Sequence, residues 1–218
     1  SGTSFIFAGG SGGNPYLQPY RADQLLLGSF NYFAPGAVAE VQGFYKQVDS
    51  FPYTANVATT VNGNTANVSQ PVNGDGGDIY GVILAAEYPF TGVLDGFGVD
   101  FNYTLSKSEM SLNTPLTFSK NMPFPGVSEN SLAATLYYQR FGFSGRLSYT
   151  YRDKAISNNV EGSTFSIQGP GGTPETLEVW QAPYGELDAQ VGYDFSEHFG
   201  IVLSASNLTG SATHDYLQ

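Results

Sequence analysis

Residues 97–106 alternate without a break between apolar and polar side chains. The odd-numbered positions carry Phe, Val, Phe, Tyr and Leu, and the even-numbered positions carry Gly, Asp, Asn, Thr and Ser. Because successive side chains of a strand point to opposite faces, this stretch predicts a strand with one apolar and one polar face. Such a strand is either half-buried in a soluble protein or crosses a membrane between lipid and a water-filled lumen.

The composition is compatible with both alternatives, but it argues against a helical membrane protein and against a nucleic-acid-binding protein. Charged residues make up 12% of the 218 residues, about half of the roughly 25% typical of soluble domains. Aromatic residues make up 15%, there are 27 Gly and no Cys, and no long apolar run predicts a transmembrane helix. The net charge of −11 argues against a nucleic-acid partner, because nothing neutralises phosphates. An outer-membrane β-barrel and a Tyr-rich soluble β-sandwich both fit these values.

Four hairpins with short turns follow one another along the chain, and we predict no helix. Their arms are residues 21–33 with 37–49, 78–88 with 97–106, 131–139 with 143–152, and 186–195 with 201–205. Long loops are expected at 50–77, 107–129 and 153–183. The predicted organisation is an external loop and strand end at 1–20, barrel strands with short periplasmic turns and long external loops at 21–210, and the start of a last external loop at 211–218.

Three features favour the membrane barrel over the sandwich. Short turns and long loops alternate strictly, as in outer-membrane barrels. Ten residues at a rise of about 3.3 Å and a tilt of about 45° span roughly 23 Å, close to the apolar band of about 25 Å. Aromatic residues gather beside the short turns, which predicts an interfacial girdle. Its members are Tyr32, Phe33, Tyr88, Phe90, Tyr138, Phe141, Tyr193, Phe195 and Phe199. The fold prediction is therefore an all-β, antiparallel, up-and-down transmembrane β-barrel segment.

The alternation also assigns side chains to the two faces of the predicted wall. The residues expected to face lipid are Phe97, Val99, Phe101, Tyr103, Leu147, Tyr149, Leu187 and Val191. The residues expected to line the lumen are Asp100, Asn102, Arg146, Arg152, Asp188 and Gln190. Eight strands in sequence leave two edges, at 21–33 and 199–208. Unpaired backbone groups are costly in hydrocarbon, so we expect both edges to pair with strands outside this sequence.

No catalytic constellation stands out, and we expect neither an enzyme nor a cofactor. His198 and His214 lack the spacing of metal ligands. Asp75 and Asp78 form a weak calcium candidate in a Gly-rich stretch, whose simpler interpretation is a loop that closes onto a strand. Aromatic residues on the predicted external side are better candidates, because flat rings stack on sugar faces; interfacial anchoring is the alternative. These residues are Tyr16, Tyr20, Phe51, Tyr53, Trp180 and Tyr184.

An ordered set of short motifs resembles the TonB-dependent receptors, and within them the proteobacterial group associated with oligosaccharide uptake. The motifs are NPYLQPYRAD at 14–23, YFAPG at 32–36, FYK at 44–46, GDIYGV at 77–82, LDGFGV at 94–99, PGVS at 125–128, YTYRDK at 149–154 and NLT at 207–209. Each motif alone is weak, but the order of the whole set is specific. Leu26, Phe30 and Ile83 depart from the polar residues that the family often places toward the lumen.

The resemblance implies a barrel of about 22 strands with a plug domain inside, of which this chain supplies about eight. It places the plug, the TonB-binding segment and the last strand outside this sequence. The implied location is the outer membrane of a Gram-negative bacterium. The implied partners are outer-membrane lipid and lipopolysaccharide, the remaining strands, the plug and the TonB complex. The expected function is import of a nutrient, with an oligosaccharide as the first choice. The alternatives are a ferric-siderophore uptake receptor and a structural or adhesive barrel without transport.

Overall fold

The computed structural model describes residues 10–61, 64–114, 117–157, 164–168 and 174–218. The strand end that the sequence predicts near residues 4–7 lies outside these ranges. Within them the only helical element is a single 3-10 turn, Gly92–Leu94. The described residues include no helix that is long and apolar enough to span a membrane.

Fifteen strands are described. In chain order they are β1 (Gly10–Ser11), β2 (Arg21–Ala34), β3 (Ala37–Val61), β4 (Asn64–Gly74), β5 (Gly77–Pro89), β6 (Phe97–Thr114), β7 (Thr117–Met122), β8 (Asn130–Arg140), β9 (Phe143–Arg152), β10 (Ala155–Ile156), β11 (Thr164–Gln168), β12 (Pro174–Gln181), β13 (Tyr184–Ser196), β14 (Phe199–Ala205) and β15 (Asp215–Leu217).

Eight long strands form an antiparallel up-and-down meander in the order β2-β3-β5-β6-β8-β9-β13-β14. All four predicted hairpins are therefore confirmed. The short connections all lie at one end of the sheet, which we call the turn end (residues 35–36, 90–96, 141–142 and 197–198). The connections β3–β5, β6–β8 and β9–β13 lie at the opposite end, which we call the loop end. In the two-residue turn between β8 and β9, Phe141 and Gly142 both have positive φ (57° and 75°), as a type I′ hairpin requires.

Two of the predicted loops are continuous strands for most of their length. β3 does not stop near residue 49 but runs on to Val61 and pairs with β4. β6 likewise runs past residue 106 to Thr114 and pairs with β7. A third predicted loop, 153–183, contains β10 and the β11–β12 pair. The Asn- and Gly-rich composition suggested loops, but local antiparallel pairing satisfies the backbone without a continuous apolar face.

The strand register places the predicted apolar residues on one face of the sheet and the predicted polar residues on the other. Val99 lies between Tyr88 of β5 and Leu136 of β8. Asn102 lies between Ala85 and Ala133 on the opposite face. The two faces are thus continuous across neighbouring strands, because the side-chain alternation of each strand stays in phase with that of the next.

Aromatic rings form a nearly continuous belt on the apolar face at the turn end. Phe97 and Tyr138 have their ring centroids 4.6 Å apart, and Tyr193 and Phe195 are 4.9 Å apart. Ring–ring contacts define the members of this belt, which are Phe33, Tyr88, Phe90, Phe97, Tyr138, Phe143, Tyr193, Phe195 and Phe199. The predicted gathering of aromatic residues beside the short turns is confirmed for seven of its nine members, and Phe97 and Phe143 join them. Tyr32 and Phe141 form no ring–ring contact with the belt, and the Phe141 ring instead carries the Arg140 guanidinium.

Both ends of the meander are open edges. Within the described ranges, β2 pairs with β3 alone and β14 pairs with β13 alone. Apolar side chains on these edge strands are unusually exposed, including Leu27 at 78% and Leu203 at 71%. The described sheet therefore does not close on itself, in agreement with the prediction that residues 21–33 and 199–208 do not pair with each other.

The principal buried core lies at the loop end and not between the long strands. Val48 and Met110 of the wall pack there with Phe124 of the β6–β8 connection and Ile156 of β10. The cluster also contains Phe51, Tyr53, Ala55 and Met122, with Trp180 packed against it. The connections at this end are thereby held in a defined position beside the polar face of the wall.

Candidate functional site: a cavity beside a break in the β6–β8 ladder

The hydrogen-bond ladder on one side of β6 is interrupted for four residues. Pairing with β8 ends at Leu105, and pairing with β7 begins at Met110. Between these points the described partners come from the β6–β8 connection. The Ser106 N–H donates to the Glu129 carbonyl (2.8 Å), and the Ser108 Oγ accepts from the Phe124 N–H (3.0 Å). The interruption opens a gap between the wall and this connection.

A cavity of about 330 Å³ occupies this gap. This volume falls at the small end of the range of about 300–1,000 Å³ for small-molecule sites. Its walls come from β5, β6, the β6–β8 connection, the segment that follows β9, and β12. The lining residues with side-chain chemistry useful for binding are Tyr80, Lys107, Glu109, Glu129, Asp153, Lys154 and Trp180. The cavity is therefore a meeting point of segments that are far apart in the sequence.

Trp180 supplies the indole ring of this cavity. It lies on β12, opposite Ile156 of β10 and Tyr216 of β15, and it is half-buried. The Lys154 Nζ sits 4.6 Å from the centre of the Trp180 ring, which is a cation–π geometry. The same ammonium donates to the Gln218 side-chain oxygen (3.1 Å). These contacts fix the ring and a positive charge next to each other on one wall.

Asp153 organises the neighbouring wall through both carboxylate oxygens. One oxygen accepts from the Lys154 N–H (2.8 Å) and the other from the Asn130 side-chain amide (3.1 Å). The Asn130 Oδ1 in turn accepts from the Tyr103 hydroxyl (2.6 Å). The Asp153 carbonyl accepts from the Ser128 hydroxyl (3.0 Å). The network joins the start of β8 to the end of β9 and fixes the backbone at Lys154, where the chain continues beyond β9.

Charges of both signs line the cavity. Two ammonium groups, from Lys107 and Lys154, face three carboxylates, from Glu109, Glu129 and Asp153. In the part of the chain that the structure describes, neither Lys107 nor Glu129 forms an ion pair. A ligand with both hydrogen-bond donors and acceptors can use such a lining, whereas an ion of a single sign meets repulsion from part of it.

The six aromatic residues that the sequence singled out all lie toward the loop end but do not form one site. Phe51 and Tyr53 are buried in the loop-end core, each 8% exposed. Burial and the charge of Asp75 raise the pKa of the Tyr53 hydroxyl above its usual value. Tyr184 donates to a Glu186 carboxylate oxygen (2.6 Å). Of the six, only Trp180 lines the cavity.

The other two candidates lie on the segment before β2. Tyr16 is 84% exposed, and the Tyr20 ring carries the Lys46 Nζ at 5.3 Å from its centre. Their segment is fastened to β4 because Asn14 donates to the Pro71 carbonyl (3.1 Å) and Gln18 and Asn73 bond to each other twice. Tyr16 is therefore displayed on an ordered strap.

The weak calcium candidate receives no support from the described residues. Asp78 accepts a hydrogen bond from the Tyr45 hydroxyl (2.6 Å). In residues 10–61, 64–114 and the other described ranges, no group of three or more acidic or histidine side chains could hold a metal ion. Gly76 has a φ of 82°, and a Cβ there would overlap the Val48 carbonyl, so the glycines of this stretch serve a tight turn.

Sequence reasoning missed most of the cavity. Lys107, Glu129 and Lys154 were not singled out, because single charged residues in predicted loops carry no pattern. A usable signal does exist in the topology. Each of these residues lies just beyond the end of a β6–β8 or β8–β9 pairing, and those ends meet at the loop end of the sheet.

The two-faced antiparallel meander with its aromatic belt defines the wall of an outer-membrane type β-barrel. A family model described as "TonB dependent receptor-like, beta-barrel" matches residues 2–208. The chain therefore belongs to the TonB-dependent receptor β-barrel family, a family of outer-membrane receptors of Gram-negative bacteria. No curated protein sequence gives a significant match.

Two solved structures resemble the chain. One is a ferric enterobactin receptor of Pseudomonas aeruginosa, in a mutant form, with a TM-score of 0.60 and 16% identity over 88% of this chain and 26% of the receptor. The other is a siderophore receptor of Acinetobacter baumannii, with a TM-score of 0.54 and 16% identity over 88% of this chain and 28% of that receptor. At this identity the likeness concerns the fold. The chain spans about a quarter of the length of either receptor.

Proposed function

We propose that this chain is part of a TonB-dependent transporter that imports an oligosaccharide across the outer membrane. Membership of the receptor family supports TonB-dependent transport. Two observations favour a sugar: the ordered motifs resemble the oligosaccharide-uptake group, and the Tyr16 ring is 84% exposed at the loop end. Sugar rings have apolar faces that pack on aromatic rings and hydroxyls that both donate and accept hydrogen bonds.

In this proposal the apolar face of the meander contacts lipid, and the polar face lines the lumen against a plug domain. The loop end is external, and lipopolysaccharide surrounds it. The turn end is periplasmic, with the aromatic belt at the inner headgroup layer. The two open edges support pairing with further strands of a barrel of about 22 strands, because each unpaired backbone group in hydrocarbon costs several kcal/mol.

Uptake of a ferric siderophore is the second candidate function. It is favoured by the names of the two similar structures, both of which are siderophore receptors.

A deletion strain of the parent gene separates these functions. We expect loss of growth or uptake on an oligosaccharide, with the same loss in a strain that lacks TonB. A defect confined to iron-limited medium would replace the sugar by an iron chelate. Normal uptake of both, together with altered attachment to surfaces, would overturn the transport proposal and favour a structural or adhesive barrel.

A further inference from the structure

We propose that an apolar patch on the lumen side of β2, β3 and β5 is the surface on which the plug domain of the receptor sits, and that the rest of the polar face is left to water. The apolar patch consists of Leu26, Phe30, Phe44 and Ile83. This inference rests on the part of the proposed function that assigns the polar face to the lumen. It does not depend on which nutrient is imported.

The strand register brings these four residues together on the polar face of the sheet. Leu26 lies directly opposite Phe44, and the β3–β5 register places Phe44 on the same face as Ile83. Ile83 in turn lies opposite Thr104 of β6. Phe30 follows Leu26 by four residues on the same strand and shares its side. Apart from Phe44, these are the residues that depart from the polar side chains that the family often places toward the lumen.

The apolar patch is flat because glycines on neighbouring strands make room for its larger side chains. The Phe44 ring covers Gly81, where a Cβ would come within 2.8 Å of the ring. The Gln42 side chain covers Gly28 in the same way, with its Cγ 2.8 Å from such a Cβ. Gln42 therefore lies along the wall between the apolar side chains. Exposed apolar patches mark surfaces that contact another protein, a membrane or a ligand.

The neighbouring part of the same face has the opposite character. From β6 to β13 most side chains on this face are polar or charged, among them Asp100, Asn102, Thr104, Thr135, Ser148 and Asp188. Covering apolar surface is favourable, whereas covering polar groups is costly unless each one finds a hydrogen-bond partner. The lumen wall is thus divided into a sector that gains from a protein cover and a sector that water satisfies.

The apolar patch continues a surface that the chain already covers with its own connections. Toward the loop end of the same strands, Val48 belongs to the loop-end core and Ile79 packs against it. Further from the loop end this cover stops. Within the ranges that the structure describes, Leu26 is 52% exposed and Phe30 is 54% exposed. The lower part of one continuous apolar surface therefore lacks the packing that its upper part has.

The position of the apolar patch limits what can cover it. Lipid and a second receptor molecule have no access to the inner side of a barrel wall. Membership of the TonB-dependent receptor family implies a plug domain inside the barrel. We therefore assign the apolar patch to an apolar surface of the plug. The plug is then anchored on the side of β2, β3 and β5, and the water-filled side of the lumen runs along β6 to β13.

The first test measures cysteine accessibility in the full-length receptor in isolated outer membranes. The variants are Ile83→Cys and Thr104→Cys, which lie opposite each other on the same face and are both half-buried by the wall. This sequence has no Cys, and any Cys elsewhere in the receptor is first replaced by Ser. We expect a water-soluble maleimide to label Ile83→Cys roughly tenfold more slowly than Thr104→Cys, because access limits thiol reactivity. In the urea-unfolded receptor the two rates should be equal.

The second test identifies what covers the apolar patch. The photo-cross-linking residue benzoylphenylalanine replaces Phe44 in one variant and Tyr137 in a matched control. Both rings lie on the polar face over a glycine of a neighbouring strand. We expect cross-links from position 44 to peptides of the plug, and few from position 137. Heat-modifiable migration in gel electrophoresis shows whether each variant is folded, and the cysteine pair decides the matter if the Phe44 variant does not assemble.

The outcomes separate this inference from the proposed function. Equal labelling of the two folded cysteine variants would overturn the inference while the transport proposal stands. The same holds for cross-links from position 44 that reach only external loops or a bound small molecule. Labelling of both cysteines by a lipid-soluble maleimide alone would show that this face contacts lipid, and the assignment of faces in the proposed function would then fail together with the inference.

Discussion

Glu87 of β5 lies directly opposite Asp100 of β6, and both side chains project from the polar face of the sheet. The two carboxylates share a shallow cavity with Glu40. One oxygen of Glu40 is buried without a hydrogen-bond partner in the described part of the chain. Like charges directly opposite each other on neighbouring strands destabilise a sheet. This pair is therefore a local weakness in the wall.

We expect Glu87→Gln to stabilise the full-length receptor by about 0.2–1 kcal/mol. The gain should shrink as salt is added, because salt screens exposed charges. Chemical unfolding in detergent at low and high ionic strength measures both effects. Glu197→Gln, an exposed carboxylate in the β13–β14 turn, serves as the control and should change little. A loss of stability in Glu87→Gln at low salt would show that this carboxylate has a favourable partner.

The assignment of faces predicts a large difference between two neighbouring positions of β6. Arg at Val99, on the apolar face, should cost about 2–4 kcal/mol if the position is near the bilayer midplane. Arg at Asn102, on the polar face, should cost little. Unfolding of the receptor from lipid vesicles provides the free energies. Spin labels at the two positions provide an independent check, and equal access to a lipid-soluble quencher would contradict the assignment.

Two glycines on adjacent strands should respond to alanine in opposite directions. A Cβ at Gly81 would overlap the Leu105 carbonyl oxygen and lie 2.8 Å from the Phe44 ring. Gly81→Ala should therefore destabilise the protein by about 1–3 kcal/mol. A Cβ at Gly43 would meet nothing within 4 Å, so Gly43→Ala should stabilise it by about 0.5–1 kcal/mol through the unfolded state. Unfolding curves of the two variants test the prediction, and effects of the same sign would refute it.

Asn207 holds the turn after β14 through its backbone conformation and its side chain. Its φ is 52°, and its side chain both donates to the Ser211 carbonyl (2.9 Å) and accepts from the Ser211 N–H (2.8 Å). Asn207→Gly should lose only the side-chain bonds, at about 1 kcal/mol each. Asn207→Ala should cost about 1–2 kcal/mol more, because alanine disfavours the left-handed region.

Amide hydrogen exchange at residues 207–211 measures this local effect. The backbone N–H of Asn207 also donates to the Asp188 Oδ1 (2.9 Å). Asp188→Ala should therefore raise the exchange rate at the Asn207 amide in particular. The exchange rates in the β8–β9 turn, which consists of Phe141 and Gly142, should stay unchanged. If glycine and alanine at position 207 gave the same exchange rates, the left-handed conformation would carry no cost.

The hairpins could be predicted from the sequence because apolar and polar side chains alternate along their strands, which gives the sheet one apolar face. Val99 and Asn102 differ in polarity, and the register places them on opposite faces as expected. The extension of β3 to Val61 could not be predicted in the same way. Its pairing with β4 depends on backbone hydrogen bonds between two arms, and these do not require a periodic apolar pattern.

The candidate site was less predictable than the fold. Phe51 looked like a ligand-binding ring, but it packs with Phe124 at a centroid distance of 5.6 Å inside the loop-end core. Glu129 and Lys154 contribute to the cavity only because the ends of several strands meet there. Side chains that come together through long-range pairing leave no local signal in a single sequence. An aromatic residue in a predicted loop, in contrast, is easily taken for a ligand-binding residue even when it belongs to the core.

The length of β3 has a consequence for encounters at the cell surface. Its last residues, from Phe51 to Val61, pair with β4 beyond the point where β5 begins. At about 3.3 Å per residue, this arm is roughly 35 Å long, and its first residues pack into the loop-end core through Phe51, Tyr53 and Ala55. In the proposed orientation, the part of the arm beyond Ala55 points away from the cell. A bacteriophage or an antibody that approaches the cell would touch this arm before it reaches the mouth of the barrel.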